Sequence, residues 1–458
     1  MDELTMTEIL ELIENKKYGE IKKLFSSLLP PDIAIIFEEM PEKDIIIIFR
    51  LLPKELASDV FVEMESDKQQ LLIEAFSDKE LREVMADLFM DDTVDIIDEM
   101  PANVAKRILK QSDAQTRKTI NQLLAYPDDS AGSIMTTEYI DLKKDMTVDD
   151  AFERIRTIGF NSEEIYTCYV IDRGRHLLGT VSVKQLLLSQ KHCLISSLMD
   201  DNVISAKTHD DKEDVANMFE HYNVLALPVV DYENRLVGIV TVDDAIDVMQ
   251  EEVTEDIEKM AAILPSEHTY FKTGVFETFK ARIPWLLLLM ISATFTGSII
   301  SSFEDKLTAF SALIAFIPML MDTGGNSGSQ SSVTVIRSIS TGDIEFKDIF
   351  KVLWKEVRVA LCCGTVLALV NAAKLFFIDH LVFNHFDLHH EIREIIVVCV
   401  SLFCTVLVAK IIGCLLPIIA KRIGFDPAVM ASPLITTIVD AITLLIYFTL
   451  ATCVIGIV

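Results

Sequence analysis

Positive charge is scarce in this chain. Its 458 residues carry 41 Lys and Arg against 70 Asp and Glu, a formal net charge of −29. An acidic surface repels phosphate, so nucleic acid is excluded as a partner. An acidic partner is disfavoured for the same reason, and a cation is the natural one. None of the eight cysteines forms a CxxC pair, and six of them (Cys362, Cys363, Cys399, Cys404, Cys414, Cys453) read as small buried apolar residues. There is no phosphate-cradling P-loop, no nucleophile–base pairing and no His/Cys cluster, so an enzyme is not expected. His385, His389 and His390 read as part of an ordinary polar loop. The start, Met1-Asp2-Glu3-Leu4, has neither a basic region nor an early apolar run. No signal peptide is therefore expected, and the acidic part is expected to stay in the cytosol.

The charge is unevenly placed. Residues 1–270 hold 56 acids and 27 bases, whereas residues 271–458 hold 14 of each. Half the chain is nevertheless hydrophobic, and the mean hydropathy is +0.35. A single uniform domain is ruled out, and the length suggests about three.

The second half reads as membrane. A spanning helix needs about 20 mainly apolar residues. Five segments qualify: Ile283–Phe303, Leu307–Ile336, Val357–Ile378, Ile395–Ile419 and Ala428–Val458. With the N-terminus inside, the basic residues fall mostly in the cytosolic segments, as the positive-inside rule requires. The intramembrane Lys374 and Lys410 are expected to snorkel or to pair. Asp440 is the most informative residue, because an aspartate in mid-span should face a cavity or a partner. Ser432, Thr436 and Asp440 are four apart and share one helix face. Oxygen ligands of this kind suit hard cations such as Mg²⁺ and Ca²⁺. The second span carries Pro318 and the run Asp322-Thr323-Gly324-Gly325-Asn326-Ser327-Gly328-Ser329-Gln330. A broken backbone is expected there, with freed carbonyls available to a cation. Close helix packing through small residues is the other reading.

The first half contains two different repeats. Asp32-Ile-Ala-Ile-Ile-Phe-Glu-Glu-Met-Pro41 recurs sixty residues later as Asp92-Thr-Val-Asp-Ile-Ile-Asp-Glu-Met-Pro101. Pro41 and Pro53 are twelve apart, which predicts short helices stacked as a small solenoid. Asp91, Asp92, Asp95 and Asp98 gather near one helix start, where acids favour the helix dipole. Residues 134–253 repeat differently. Tyr169-Val-Ile-Asp172 matches Pro228-Val-Val-Asp231, and Leu178-Gly-Thr-Val-Ser182 matches Val237-Gly-Ile-Val-Thr241. Each unit reads as strand, helix, strand, Gly-turn strand, helix.

This second repeat resembles paired CBS domains, and the chain as a whole resembles the MgtE family of magnesium channels. Gly325-Asn326-Ser327-Gly328-Ser329-Gln330 is similar to that family's Gly-Asn-x-Gly-x-Gln, and Pro433-Leu-Ile-Thr-Thr-Ile-Val-Asp440 to its pore segment. The resemblance implies a multidomain membrane protein: an all-α superhelical N domain (1–131), an α/β CBS pair (132–196 and 197–252), a connecting plug helix (253–280) and an α-helical five-span pore domain (281–458). It implies a homodimer in the plasma membrane, embedded in lipid, with the pore on the two-fold axis. Asp440 would be the pore aspartate. Ser432 and Thr436 stand where the family often has Asn and Ala, and Asp322 where a small residue is common. Asp244, Asp247, Glu252, Glu255 and Asp256 fall at positions used for regulatory Mg²⁺, and Asp91, Asp92 and Asp95 add N-domain carboxylates to that set. Thr241 and Asp244 fit the hydroxyl-and-acid pair that some CBS domains use for ATP. The implied function is Mg²⁺ uptake, closed when cytosolic Mg²⁺ binds the acidic region. A proton- or Na⁺-coupled divalent-cation transporter regulated by CBS-bound nucleotide is the alternative.

Overall fold

The computed structural model describes residues 9, 12, 13, 15 and 17–455, except 267–269, 271, 272, 304–310, 379–387 and 431. It divides into two units, Met1–Met249 and Gln250–Val458.

The first unit begins with short helices: α1 (Tyr18–Phe25), α2 (Pro30–Glu39), α3 (Glu42–Phe49), α4 (Lys54–Val62), α5 (Ser66–Ala75), α6 (Asp78–Met85), α7 (Met90–Glu99), α8 (Ala102–Gln111) and α9 (Ala114–Leu123). Proline sets several of their limits. Met40 and Met100 are forced extended before Pro41 and Pro101, which end α2 and α7 and serve as N-caps of α3 and α8. The sixty-residue repeat is thus the same pair of helices used twice. Phe25, Phe37, Phe49 and Phe61 stand twelve apart, and consecutive rings lie 5.9, 6.5 and 6.1 Å from one another. Phe76 closes the ladder at 5.4 Å from Phe49. One ring per helix at edge-on or tilted contact makes the solenoid's core continuous.

The CBS pair follows. Its first half is β1 (Asp141–Lys143), α10 (Val148–Ile158), β2 (Thr167–Ile171), β3 (Leu177–Ser182) and α11 (Val183–Leu188). The second is β4 (Ala206–Lys207), α12 (Lys212–Tyr222), β5 (Ala226–Val230), β6 (Leu236–Thr241) and α13 (Val242–Met260). Each half has a three-stranded sheet, parallel then antiparallel, with Val170 opposite Gly179 and Val229 opposite Gly238. The two glycines admit backbone from the segment ahead of the other half. A Cβ at Gly238 would lie 2.5 Å from the Thr136 carbonyl oxygen, and one at Gly179 2.7 Å from that of Asp200. The helical domain shares its apolar core with the second CBS half, through Val215, Phe219, Leu227 and Val240.

The second unit is helical: α14 (Val275–Ser302), α15 (Ile317–Ser340), α16 (Ile349–Ile378), α17 (Leu388–Arg422) and α18 (Ser432–Ile455). Among the described residues, the segments Val275–Ser302, Phe346–Phe377, Ile392–Arg422 and Pro427–Val454 are long and apolar enough to cross a membrane. The remaining helix, α15, has 24 residues, about 36 Å of rise, but is interrupted by polar side chains. Helix α17 is the hub, packing on α15, α16 and α18. Val397, Val398, Leu402, Leu444 and Phe448 are buried at this hub, and the Tyr447 hydroxyl donates to the Leu313 carbonyl at 2.8 Å. Helix α14 buries none of its residues within the chain.

One expectation is overturned here. The glycine-rich run of the second span is a continuous helix, with Pro318 in its first turn, where a missing N–H is harmless. Its glycines serve close packing. A Cβ on Gly325 would meet Thr436 at 2.9 Å, and one on Gly324 would meet Thr405 at 2.7 Å. Gly413 of α17 faces the Gly328 backbone directly. The backbone carbonyls of α15 are spent within the helix and are not freed for a cation.

Candidate functional site: an intramembrane carboxylate and a cytosolic acid cluster

Helix α15 has two faces. Gly324, Gly325, Ser327, Gly328, Ser331 and Ser332 are buried. Asp322, Asn326, Gln330 and Thr334, four apart, are all exposed in the single chain. They form a polar stripe about 18 Å long along the helix. Among the described residues the side chains of Asp322, Asn326 and Gln330 make no hydrogen bond or ion pair.

Asp440 stands partly buried on α18, likewise without a hydrogen bond or ion pair among the described residues. Its charged neighbour is Asp322 of α15. The three oxygen donors expected on the α18 face do not fare alike. Thr436 packs its methyl group on Gly325 and donates its hydroxyl to the Pro433 carbonyl at 2.9 Å, leaving only lone pairs to offer. The side chain of Ser432 lies outside the described residues. Thr443, one turn beyond Asp440, is 1% exposed and its hydroxyl has no partner among the described residues. Of the loop histidines, His385 is outside the described residues, and so are the side chains of His389 and His390.

The cytosolic carboxylates gather in the first unit. Helix α7 brings Asp91, Asp92 and Asp95, and the first turn of α13 brings Asp243, Asp244 and then Asp247. Glu138 and Glu163 join from the first CBS half. The Phe89 N-cap of α7 has no side-chain cap of its own, and Glu138 accepts from the Met90 N–H at 2.9 Å instead. The Thr241 hydroxyl donates to Asp244 at 2.5 Å. Ser182 and Gln185 make the equivalent capping contacts in the first half, so Thr241–Asp244 is first of all a helix cap. Among the described residues none of Asp91, Asp92, Asp95, Glu138, Glu163, Asp243 and Asp244 has an ion-pair partner.

Crowding without cations raises proton affinity. Burial, then the field of Asp244, pushes Asp92 up to about 7. Burial, reinforced by Asp243, pushes Asp244 up to about 6 despite its bond from Thr241. Burial and Asp92 push Glu163 up to about 8. Asp91 is 7% exposed, has one oxygen without a partner among the described residues, and is raised well above the ordinary carboxylate range, by burial first and Asp244 second. Asp95 is exposed on its outer side, yet the protein behind it and Asp244 raise it as well. Among the described residues no three acids are drawn tightly enough to hold a bare metal ion. The sequence reading missed Glu138, Glu163 and Asp243, which only the fold brings to α7.

The remaining regulatory candidates lie in the second unit, at the end of α13. Lys259 bridges Glu255 at 2.6 Å and Asp426 at 2.7 Å. Burial opposes its charge, but the hydrogen bonds to Asp426 and Glu255 win and raise its pKa. Asp256 accepts from the Ser340 hydroxyl at 3.4 Å, and Met260 packs on Ile336 and Ala428. Glu252 lies one turn before Asp256. The end of α13 is therefore docked on α15 and on the turn between α17 and α18.

Comparison with known proteins bears on all of these parts. Residues 317–450 match the family model described as a divalent cation transporter, residues 28–129 match the MgtE intracellular N domain, and residues 131–191 and 195–251 match CBS domains. The chain is 35% identical to the magnesium transporter MgtE of Bacillus subtilis over 98% of this chain and 97% of that one. It is 36% identical to the Thermus thermophilus magnesium transporter MgtE over 76% and 74% of the two chains. The crystal structure of the cytosolic domain of the Mg²⁺ channel MgtE in complex with ATP is similar with a TM-score of 0.51 and 30% identity, covering 53% of this chain and 99% of that one. Helical N domain, CBS pair and multi-pass membrane region thus occur in one order, and the chain belongs to the MgtE family of magnesium transporters.

Proposed function

We propose that two copies of the chain form a gated path for hydrated Mg²⁺, lined by Asp440 and the α15 stripe and closed by cytosolic Mg²⁺. The observation that carries the proposal is the exposed run Asp322, Asn326, Gln330 and Thr334. Lipid cannot solvate a carboxylate and two amides, so that face needs water or protein. A second copy related by a two-fold axis supplies both, with the outer surfaces of the spans left to lipid.

Mg²⁺ sheds its waters reluctantly. Paired Asp440 carboxylates would hold it through its hydration shell, and the ion would in turn cancel their repulsion. The membrane potential drives entry at about 2.3 kcal/mol per charge for each 100 mV, twice that for Mg²⁺.

Closure uses the cytosolic acids. Uncompensated carboxylates on α7, α13 and the first CBS half repel one another, and a divalent cation relieves that repulsion. Mg²⁺ therefore binds the compact arrangement better and shifts the population towards it. Helix α13 begins among those acids and ends docked on the spans through Lys259 and Asp426, so it belongs to both processes. Glu252, Glu255 and Asp256 on its later turns extend the regulatory set. An adenosine nucleotide at Thr241 and Asp244 would act on the same helix start.

The test is Mg²⁺ flux into proteoliposomes with internal Mg²⁺ varied. Wild type should carry current without a proton or Na⁺ gradient and should close as internal Mg²⁺ rises to millimolar levels. Dependence on a co-ion gradient, or flux indifferent to internal Mg²⁺, would sink the reading.

A further inference from the structure

A second set of charged groups lies inside the helical unit, away from Asp440. Lys410 of α17 is only 5% exposed. Its ammonium donates to the Ser331 hydroxyl at 3.3 Å, and that hydroxyl donates to Glu356 of α16 at 2.7 Å. Sequence left Lys410 to snorkel or pair. The long side chain does not reach for the interface but is held in the interior. A buried ammonium and a carboxylate joined through one hydroxyl connect three helices, with the middle member on α15.

The position of that middle member matters. Ser331 follows Gln330 directly, about 100° further round α15, and is buried where Gln330 is exposed. One turn earlier the α15 and α17 backbones touch at Gly328 and Gly413. One residue later Ser332 donates to the Met430 carbonyl at 3.4 Å. The glycine contact sets how near α15 comes and resists any turn that would bring a Cβ into the crossing. The polar contacts hold the same rotation directly, and the charged one is the strongest of them. A turn of 100°, one residue's worth, would carry Asp322 and Asn326 out of the stripe's present direction.

We propose that Lys410 is a positioning residue for transport: through Ser331 and Glu356 it locks the rotation of α15 and so presents Asp322, Asn326 and Gln330 to the ion path. This rests on the reading of that stripe as lining the path. Arginine at 410 would keep the charge and reach. Methionine would keep the bulk and lose the lock.

The test separates the two claims. Asn326→Cys is introduced into the full-length protein in proteoliposomes. Its labelling by a membrane-impermeant cationic methanethiosulfonate is measured as the increase over the chain without it. With Lys410 in place, labelling is expected. Absence of labelling there overturns the stripe as an ion path, and the proposal with it. Lys410→Met is expected to slow labelling by at least about tenfold and to raise the Mg²⁺ concentration for half-maximal flux. Lys410→Arg is expected to restore both. If Lys410→Met does not fold, the charge-neutral pair Lys410→Met with Glu356→Gln takes its place, because it leaves no buried charge alone. Wild-type labelling and half-maximal concentration in a folded Met variant would overturn the lock while leaving the ion path standing. Failure of both variants to fold would overturn positioning in favour of a purely structural network.

Discussion

Asp92 offers the sharpest test of how the cytosolic acids work. Its carboxyl is pushed from the ordinary 3.8 to about 7, by burial first and Asp244 second. A carboxylate raised in the folded state holds its proton more tightly there than in the unfolded chain. Stability associated with it therefore falls as pH climbs from about 4 to about 8, the penalty being complete above the folded pKa. Three units at about 1.4 kcal/mol each set a ceiling near 4 kcal/mol. Asp92 also raises Glu163, and its carboxyl is only partly buried, so with solvent screening about half of that ceiling is taken for Asp92. The helix-dipole benefit of an acid in the first turn of α7, about 0.5 kcal/mol, acts the other way. Asp92→Asn should thus stabilise the α7–α13 region by roughly 2 kcal/mol at pH 8 without divalent cations. Hydrogen exchange of the α7 and α13 amides reads this directly, as about thirtyfold slower exchange at matched pH if they open together. The advantage should shrink towards nothing near pH 4. Millimolar Mg²⁺ at pH 8 should protect wild type strongly and the variant little. Faster or unchanged exchange in Asp92→Asn at pH 8 in chelator would refute the argument that unpaired charge loosens this region.

Three further outcomes are expected. Asp440→Asn should fold normally, since no partner among the described residues is lost, yet cut Mg²⁺ flux by at least about tenfold, an electrostatic loss of about 1.4 kcal/mol or more; unchanged flux would remove Asp440 from the path. Lys259→Met should free the end of α13 from Asp426. The half-buried pair is worth about 1 kcal/mol, so about fivefold more internal Mg²⁺ should be needed for closure, read in the same flux assay. Gly413→Ala should cost about 1–3 kcal/mol by forcing the Gly328 backbone away, whereas Gly297→Ala, with open space around it, should be nearly neutral; thermal unfolding in detergent compares them.

What could be read in advance depended on whether the partner of a residue lies in a repeat. The CBS strands were legible because the chain states them twice. Gly179 and Gly238 align in sequence and then occupy equivalent places, opposite Val170 and Val229. The helical repeat was legible through its prolines, which stop a helix by local sterics alone. The glycine run of α15 was misread because glycine serves both a broken helix and a close crossing. Only the residues opposite, Thr436, Thr405 and Gly413 on other helices, decide between them. Glu138 and Glu163 had no sequence signal as part of the acid cluster, since the first CBS half is brought to α7 by tertiary packing. Thr436 was placed correctly on the Asp440 face but spends its hydroxyl on its own helix, a choice of rotamer that spacing does not reveal.

The phenylalanine ladder has a consequence of its own. One rung every twelve residues from Phe25 to Phe61 turns the start of the N domain into a ruler, since α1 to α4 each fix the next by ring contact. A deletion of one residue would put every later ring out of step, whereas loss of a whole twelve-residue rung could be absorbed by restacking. Such a loss would leave a folded ruler one mark shorter, and α7 with Asp91 and Asp92 follows beyond its last ring, Phe76. The count of rungs therefore decides where those carboxylates come to rest. If those carboxylates sense the cation as proposed, chain length in whole repeats would adjust that response coarsely, in a way no point substitution can imitate.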